Sequence, residues 1–567
     1  MPVRYFNQKQ PTRGDSKLKI IMIGDTVTKN LTVYEYGDSI IAVDYGIGFP
    51  EDDEMGVDFI IPDMSYLLEN QDRLKGIFIS HAHADHFAAL PFLLQELDNV
   101  PIYGNRLVQG LLNKQLEEKK YKGLQEKMSF HLFNASVEEV VFGDFRVSAF
   151  GVNHSVPGSL GIAINTPEGL VLHMADFKVD EGPVLDKPID LAKIKEYGEK
   201  GVICLLSDSL GAGSQGKVPS EDTLNNTFPD IFRKYDENQL YITTISSNVS
   251  RMYQIIDAAV KVGRKVVPIG RSIEQMVDVA KGIGYLPFPE DAYLSKGEAT
   301  GYDQKTVVYL IAGCYGQPGS SLDRLSRGEH DDLSLNEGAV VVFSSEPNPP
   351  GVDVDVERAC SNLILMGAEI VDYKNRGDLH ISGHGHAEDL KMIIEASKPK
   401  YFIPIGGTPR QMRDYTHLVE SMGISKEKVF ELQEGESVEF SHGNAKRGKT
   451  VEVTDIYIDG TEVDPVVIRD REQLSSDGVF VVVVPVHKKD RVVAGKVDIV
   501  TRGFVYVKES QALMGRSRDM VNKILAKNQG KIQDWNAVKN IIEKRMRKFL
   551  LKETGRRPII IVHSIFV

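Results

Sequence analysis

The chain has 567 residues, and it is poor in cysteine, has a single tryptophan and contains no long apolar run. Its three cysteines, Cys204, Cys314 and Cys360, lie far apart and form no CxxC pair, which argues against a disulfide framework and against a thiolate metal site. A reducing cytoplasm suits such a chain. The longest apolar stretches, such as Val479 to Val486, are too short to span a bilayer, and the opening MPVRYFNQKQPTRGDSK lacks the apolar segment of a secretory signal. No membrane association is expected. Overall basic charge is missing too, since the formal net charge is −13. The positive charge is gathered from Val521 to Arg557, where eleven Lys or Arg, Lys531 among them, face only Asp534, Glu543 and Glu553. That segment carries +8 and the remainder −21. A basic helical arm of this kind either tracks a polyanion backbone or forms a solvated or assembly face.

What is present is an ordinary globular composition, 42% hydrophobic and 26% charged, in a chain long enough for two to four domains. Its most informative stretch is Ser80-His81-Ala82-His83-Ala84-Asp85-His86, directly after the apolar run 76–79. On extended backbone His81 and His83 face the same way, because side chains alternate with period two. Asp85 and His86 fall where the chain enters a helical pattern, Phe87 to Leu97. Two nitrogen ligands then meet at one point and an oxygen–nitrogen pair at a neighbouring one, a layout suited to two divalent cations. The competing readings are a histidine-rich surface loop and a site for a single ion. His154, in a Gly-Val-Asn-His-Ser loop, adds a third imidazole for the first ion, and Asp176 can bridge both ions. Cations so held lower the pKa of water to about 7. Zinc suits these ligand types, and manganese also accepts oxygen and imidazole.

Short strands are expected at 19–23 and 39–43, the second ending at Asp44, which is placed to orient a ligand histidine. Strands around 145–150, 161–165 and 169–174 complete a β-rich layer with ligands in loops at one edge. After Ser207 strands alternate with helices: strands at 240–245, 265–269, 306–312 and 339–343, helices at 248–262, 272–281 and 354–366. That pattern implies βαβ units on a parallel sheet, a second domain inserted in the first. The expected division is 1–207, 208–373, 374–445 and 446–567, with 443–450 read as a linker before a small α+β unit. In the returning segment His380, Ser382, His384 and His386 alternate, so that they can share one face. With Ile381 and Gly383 they form a donor-rich stretch suited to a phosphate.

Asp44, the HxHxDH stretch, His154 and Asp176 resemble the ordered motifs of the metallo-β-lactamase superfamily. Residues 43–52, 61–67, 175–178, 205–209, 246–249, 270–272, 380–384, 467–471 and 501–505 resemble the ribonuclease J family, a β-CASP member of that superfamily. The resemblance covers nearly the whole chain beyond about the first seventeen residues. It implies a mixed α/β architecture: a metallo-β-lactamase αββα sandwich, an inserted β-CASP parallel α/β domain and a small C-terminal α+β domain.

It also implies RNA hydrolysis with two divalent ions in a channel between the two large domains: a 5′→3′ exonuclease favouring 5′-monophosphate ends, with endonuclease activity, in RNA maturation and decay. Asp85 and His384 would be catalytic, His384 acting at the scissile phosphate and leaving oxygen. The segment His380-Ile381-Ser382-Gly383-His384 would bind substrate phosphates. A homodimer or homotetramer through the C-terminal unit, and RNA-decay partner proteins, are further implications. The competing functions are hydrolysis of a small ester or thioester, and a weakly catalytic RNA-binding assembly subunit.

Three departures qualify the resemblance. Pro404-Ile405-Gly406-Gly407 stands where the family has Pro-x-His-Gly, so Gly406 replaces an imidazole and a weaker second metal site is expected, with His386 as candidate replacement. Gly313-Cys314-Tyr315-Gly316-Gln317-Pro318 replaces Gly-Ser-Gln-Gly-Glu-Pro. Ile23-Gly24-Asp25-Thr26-Val27 replaces a Gly-rich segment.

Overall fold

The computed structural model describes residues 17–567 apart from 26, 52–53, 138, 347–351, 506–509 and 528–533. Thr26, Asp52, Lys531 and the opening residues 1–16 therefore lie outside the described residues. The chain forms two compact units, one containing residues up to Gly48 and Ile61–Asp455, the other Phe49–Ile60 and Ile456–Val567.

In the first unit, apolar strands build two sheets that face each other. The eight-stranded sheet runs, in spatial order, Asn444–Arg447, Ser437–Ser441, Leu18–Met22, Thr32–Tyr36, Ser39–Val43, Leu74–Phe78, Pro101–Gly104 and Ser129–Leu132. The six-stranded sheet runs Tyr401–Ile405, Val202–Asp208, Gly169–His173, Leu160–Thr166, Phe145–Gly151 and Val140–Phe142. Ile20, Tyr34, Ile41, Val43 and Phe78 of one sheet pack with Val147, Ile162, Val171, Leu206 and Ile403 of the other, all fully buried. Each such side chain contributes about 1.5–3 kcal/mol by leaving water. The helices Leu191–Lys200, Ala387–Ser397 and Pro409–Ser421 bury Ile194, Leu390, Ile393 and Tyr415 against the outer face of the six-stranded sheet. This is the sandwich implied by the resemblance.

After Asp208 and through Val371 the chain leaves the sandwich and builds an all-parallel five-stranded sheet, ordered Lys265–Ile269, Val307–Ile311, Leu240–Thr244, Val340–Ser344 and Glu369–Val371. Its three central strands are buried at every position, as continuous apolar runs covered on both faces require. The helix Val249–Lys261 starts where expected because Asn248 accepts a hydrogen bond from the Arg251 N–H. Arg251 itself is fully buried; it donates to Glu221, to Ser344 Oγ and to the Leu379 carbonyl. Lys178 of the sandwich pairs with the same Glu221 at 3.1 Å, which ties the inserted sheet to the sandwich just before His380.

Two expectations are corrected. The stretch 443–450 is not a linker: Asn444–Arg447 is an edge strand, paired antiparallel with Ser437–Ser441 through a turn at His442 and Gly443, both at positive φ. Its exposed polar and basic residues, natural on a sheet edge, are what made it read as a linker. The helical pattern 87–97 is two short helices, Ala84–Phe87 and Leu90–Glu96.

In the second unit, Val479–Val486 lies between Asp498–Arg502 and Ile559–Phe566, and one sheet face is covered by the helices Gln511–Lys527 and Trp535–Thr554. Among the described residues no helix is long and apolar enough to cross a membrane.

Candidate metal centre

Strand Leu74–Phe78 ends in a buried segment that delivers Ser80, His81 and, after a bend at Ala82, His83. His81 Nε2 and His83 Nδ1 are 3.1 Å apart, and His154 Nε2 is 3.1 Å from the same Nδ1. Asp176 Oδ2 lies 3.8 Å from both His81 Nε2 and His154 Nε2. Four ligand atoms around a tetrahedral zinc at about 2.0–2.1 Å sit about 3.3 Å from one another, so this set fits one cation. Burial, reinforced for His81 by His86 and for His154 by His83, holds the imidazoles of His81 and His154 well below their ordinary pKa, and burial brings His83 to about 4. All three are therefore neutral at physiological pH, the form that ligates.

The far side of each ring is fixed. Ser80 Oγ is 3.0 Å from His81 Nδ1, Ser155 Oγ is 3.2 Å from His83 Nε2, and His154 Nδ1 donates to the Gly383 carbonyl at 2.6 Å. Such partners orient the ligand nitrogens and make them more basic. The Gly383 contact joins the ligand set to the His380–His384 segment. A Cβ on Gly383 would stand 2.8 Å from His154 Cε1, so only glycine allows the approach.

A second group shares Asp176. His86 Nε2 is 3.4 Å from Asp85 Oδ2 and 3.3 Å from Asp176 Oδ2, while His86 Nδ1 bonds Asp44 Oδ2 at 2.7 Å. Asp44, at positive φ, also accepts from the Ser80 N–H and hydroxyl. Burial opposes protonation of His86, but Asp85, Asp176 and Asp44 together raise its pKa well above the ordinary value. A cation entering this group must displace that proton.

Beyond these, His384 Nδ1 bonds Asp208 Oδ2 at 2.7 Å, and its ring lies 4.9 Å from that of His154. Burial lowers the His384 pKa, yet the charge and hydrogen bond of Asp208, with Asp176 and Asp85, raise it to about 9. Sequence reasoning assigned no role to Asp208; the signal was its place at the end of a strand, the position that singled out Asp44. Asp176, Asp208 and His384 also lie close enough for one ion.

The expected phosphate segment is brought beside the ligands but not as a shared extended face. The chain bends at Gly383 and His384, and Ser382 Oγ accepts from the His384 N–H at 3.1 Å. The largely buried His380 Nδ1 has no hydrogen-bond partner. Burial, with the nearby Arg251 charge, lowers its pKa to about 3. Ile381 is half-buried within the same segment. His386 is a correction: it precedes the helix Ala387–Ser397, its N–H donates to Asp389 Oδ2, and it belongs to none of the ligand groups. The helix begins at once after it, which carries its side chain out of the alternation. In the Gly-rich loop, the Gly319 N–H is already taken by Asp323 Oδ2 at 2.7 Å.

Residues 237–363 match the family described as Ribonuclease J, beta-CASP domain, and residues 466–566 match Ribonuclease J C-terminal domain. Residues 56–194 match Beta-lactamase superfamily domain, and 375–430 match Zn-dependent metallo-hydrolase RNA specificity domain. The chain is 32% identical over 555 residues to Ribonuclease J2 of Bacillus subtilis (strain 168), covering 97% of this chain and 98% of that protein. It is 34% identical over 539 residues to Ribonuclease J 1 of Streptococcus pyogenes serotype M3, covering 94% and 95%. A crystal structure of a protein of unknown function from Enterococcus faecalis V583 superposes with a TM-score of 0.52 at 16% identity, over 75% of this chain and 100% of that one, a likeness of fold.

Proposed function

The chain belongs to the ribonuclease J family, with a metallo-β-lactamase domain, an inserted β-CASP domain and a C-terminal ribonuclease J domain, and on that premise we propose that it degrades RNA from 5′-monophosphate ends in the 5′→3′ direction and also cuts internally. It is a metal-dependent hydrolase of RNA phosphodiesters. The observation that carries the finer reading is the 2.6 Å bond from His154 to the Gly383 carbonyl, which sets a ligand imidazole against the segment His380–His384.

His81, His83, His154 and Asp176 would hold one cation and Asp85, His86 and Asp176 a second. Bound there, such ions supply a water nucleophile near neutral pH and offset charge on the phosphate. Zinc suits the first group; manganese is the alternative at the second. Asp85 acts as a ligand. His384, charged and oriented by Asp208, donates a proton to the departing oxygen. His380, a neutral imidazole in the same segment, and Ser382 would hold a neighbouring phosphate. A site that encloses one terminal phosphate cannot take three, which gives the preference for monophosphate ends.

Self-association as a homodimer or homotetramer is assigned to the C-terminal unit. The sheet face opposite its helices leaves Val500, Ile561 and Ile565 exposed while Ile499 and Val562 are buried. RNA maturation and decay in the cytoplasm is the setting this activity fits.

The reading is tested by offering the purified protein one RNA with a 5′-monophosphate and the same RNA with a 5′-triphosphate, and following product sizes over time. Mononucleotides released at least about tenfold faster from the monophosphate form are expected. Equal rates on both ends, with only internal fragments, would contradict it.

A further inference from the structure

We propose that the side-chain amide of Asn30 is a ligand of the second cation, completing a set that lacks an imidazole at Gly406. The proposal rests on the reading that Asp85, His86 and Asp176 hold a cation.

Asn30 lies between the strands Leu18–Met22 and Thr32–Tyr36, and its backbone is bonded on both sides. Its N–H donates to the Asp85 carbonyl at 2.9 Å, and its carbonyl accepts from the Gly46 N–H at 3.1 Å. These bonds hold it against the start of the helix Ala84–Phe87. Its amide Nδ2 is 3.2 Å from His86 Nε2, 3.5 Å from Asp85 Oδ2 and 3.1 Å from the Asp85 carbonyl.

With His86 Nδ1 engaged by Asp44, Nε2 is the ring nitrogen left for a cation. Three heteroatoms surround it at 3.2–3.4 Å: the Asn30 amide, Asp176 Oδ2 and Asp85 Oδ2. With Asn30 Nδ2 also 3.5 Å from Asp85 Oδ2, these distances match those between ligands that share one ion. A half-turn of the amide brings Oδ1 to the place of Nδ2 without moving the backbone; the turn gives up the bond from Nδ2 to the Asp85 carbonyl, which the cation contact must offset, while that carbonyl keeps the backbone N–H of Asn30. On the opposite side Gly406 offers no side chain. It sits at φ 66°, and a Cβ there would lie 3.3 Å from Asp176 Oδ1 and 3.2 Å from Asp208 Oδ1.

The consequence is chemical. Three imidazoles and a carboxylate make the first group suited to zinc. Two carboxylates, an amide oxygen and one imidazole make the second an oxygen-rich set, which favours a harder cation such as Mn²⁺. The chain would then carry two different ions.

The test uses the full chain loaded with one equivalent of Zn²⁺ and titrated with Mn²⁺, free Mn²⁺ being read by electron paramagnetic resonance. One Mn²⁺ per chain is expected. Asn30→Ala should weaken Mn²⁺ binding by at least about tenfold and leave the zinc content unchanged. Asn30→Asp, which keeps an oxygen and adds charge, should bind Mn²⁺ at least as tightly as the parent. Mn²⁺ affinity within twofold of the parent in Asn30→Ala, or as large a loss in Asn30→Asp, overturns the assignment. His86→Ala separates the two levels. Loss of Mn²⁺ there with retention in Asn30→Ala removes only the Asn30 ligand; retention in His86→Ala removes the second cation site itself.

Discussion

Replacing His83 by alanine is expected to lower RNA cleavage by at least about a thousand-fold, equivalent to about 4 kcal/mol of barrier. The reason is position. Its Nδ1 is the atom that lies 3.1 Å from the ligand nitrogens of both His81 and His154, so it stands at the centre of the first group. Alanine removes one of four ligands and leaves two imidazoles and one carboxylate, a set that holds the cation more weakly and in a different geometry. The same variant should retain up to about one equivalent less metal after dialysis, since one of the four groups that would hold it is gone. His83 is only half-buried, so the sandwich core is untouched and the thermal midpoint of the metal-free protein should stay close to that of the parent. Cleavage that survived the change, with metal content unaltered, would remove His83 from the ligand set; cleavage that survived with the metal lost would point to a contaminating nuclease.

The second large effect concerns His384 and Asp208. If His384 donates its proton, activity requires its charged form, whose pKa is about 9. The sign follows: cleavage should hold as pH rises to about 8 and fall about tenfold per unit once pH passes about 9. Burial opposes the charge, and the nearest group sustaining it is the Asp208 carboxylate at 2.7 Å. Asp208→Asn removes that charge, so the alkaline fall should move to lower pH and the rate at pH 8 should drop. His384→Ala should cost about 10²–10⁴-fold at all pH values and abolish the alkaline limb. A pH–rate profile of the parent and Asp208→Asn measures this. Profiles that superpose would remove His384 from the proton transfer while leaving the metal ligands in place.

Much of this was legible from the residues. Apolar runs ending in a carboxylate placed the strand Ser39–Val43 and Asp44; His81 and His83 do meet, at 3.1 Å, but across a bend at Ala82 and not by strand alternation. The central strands of the parallel sheet read as apolar runs because both their faces are covered. What escaped was settled by contacts outside the segment itself. Asn444–Arg447 is polar, so nothing in its own residues marks it as a strand; pairing with Ser437–Ser441 makes it one. Residues 49–60 fold with the C-terminal unit some 400 positions later, the Asp58 N–H donating to the Ile458 carbonyl, which no local pattern announces. Asp208 and Asn30 are single polar residues whose meaning lies in what the fold sets beside them. His386 shows the reverse error, a residue of the right type at the right spacing, diverted when a helix begins at the next position.

The most direct test of the central claim is to strip the protein of metal with a chelator, confirm the loss by elemental analysis, and measure RNA cleavage before and after returning one and two equivalents of a defined cation. Cleavage should vanish with the metal and return with reloading, and His83→Ala treated identically should not recover. Undiminished cleavage by the stripped protein would contradict the account.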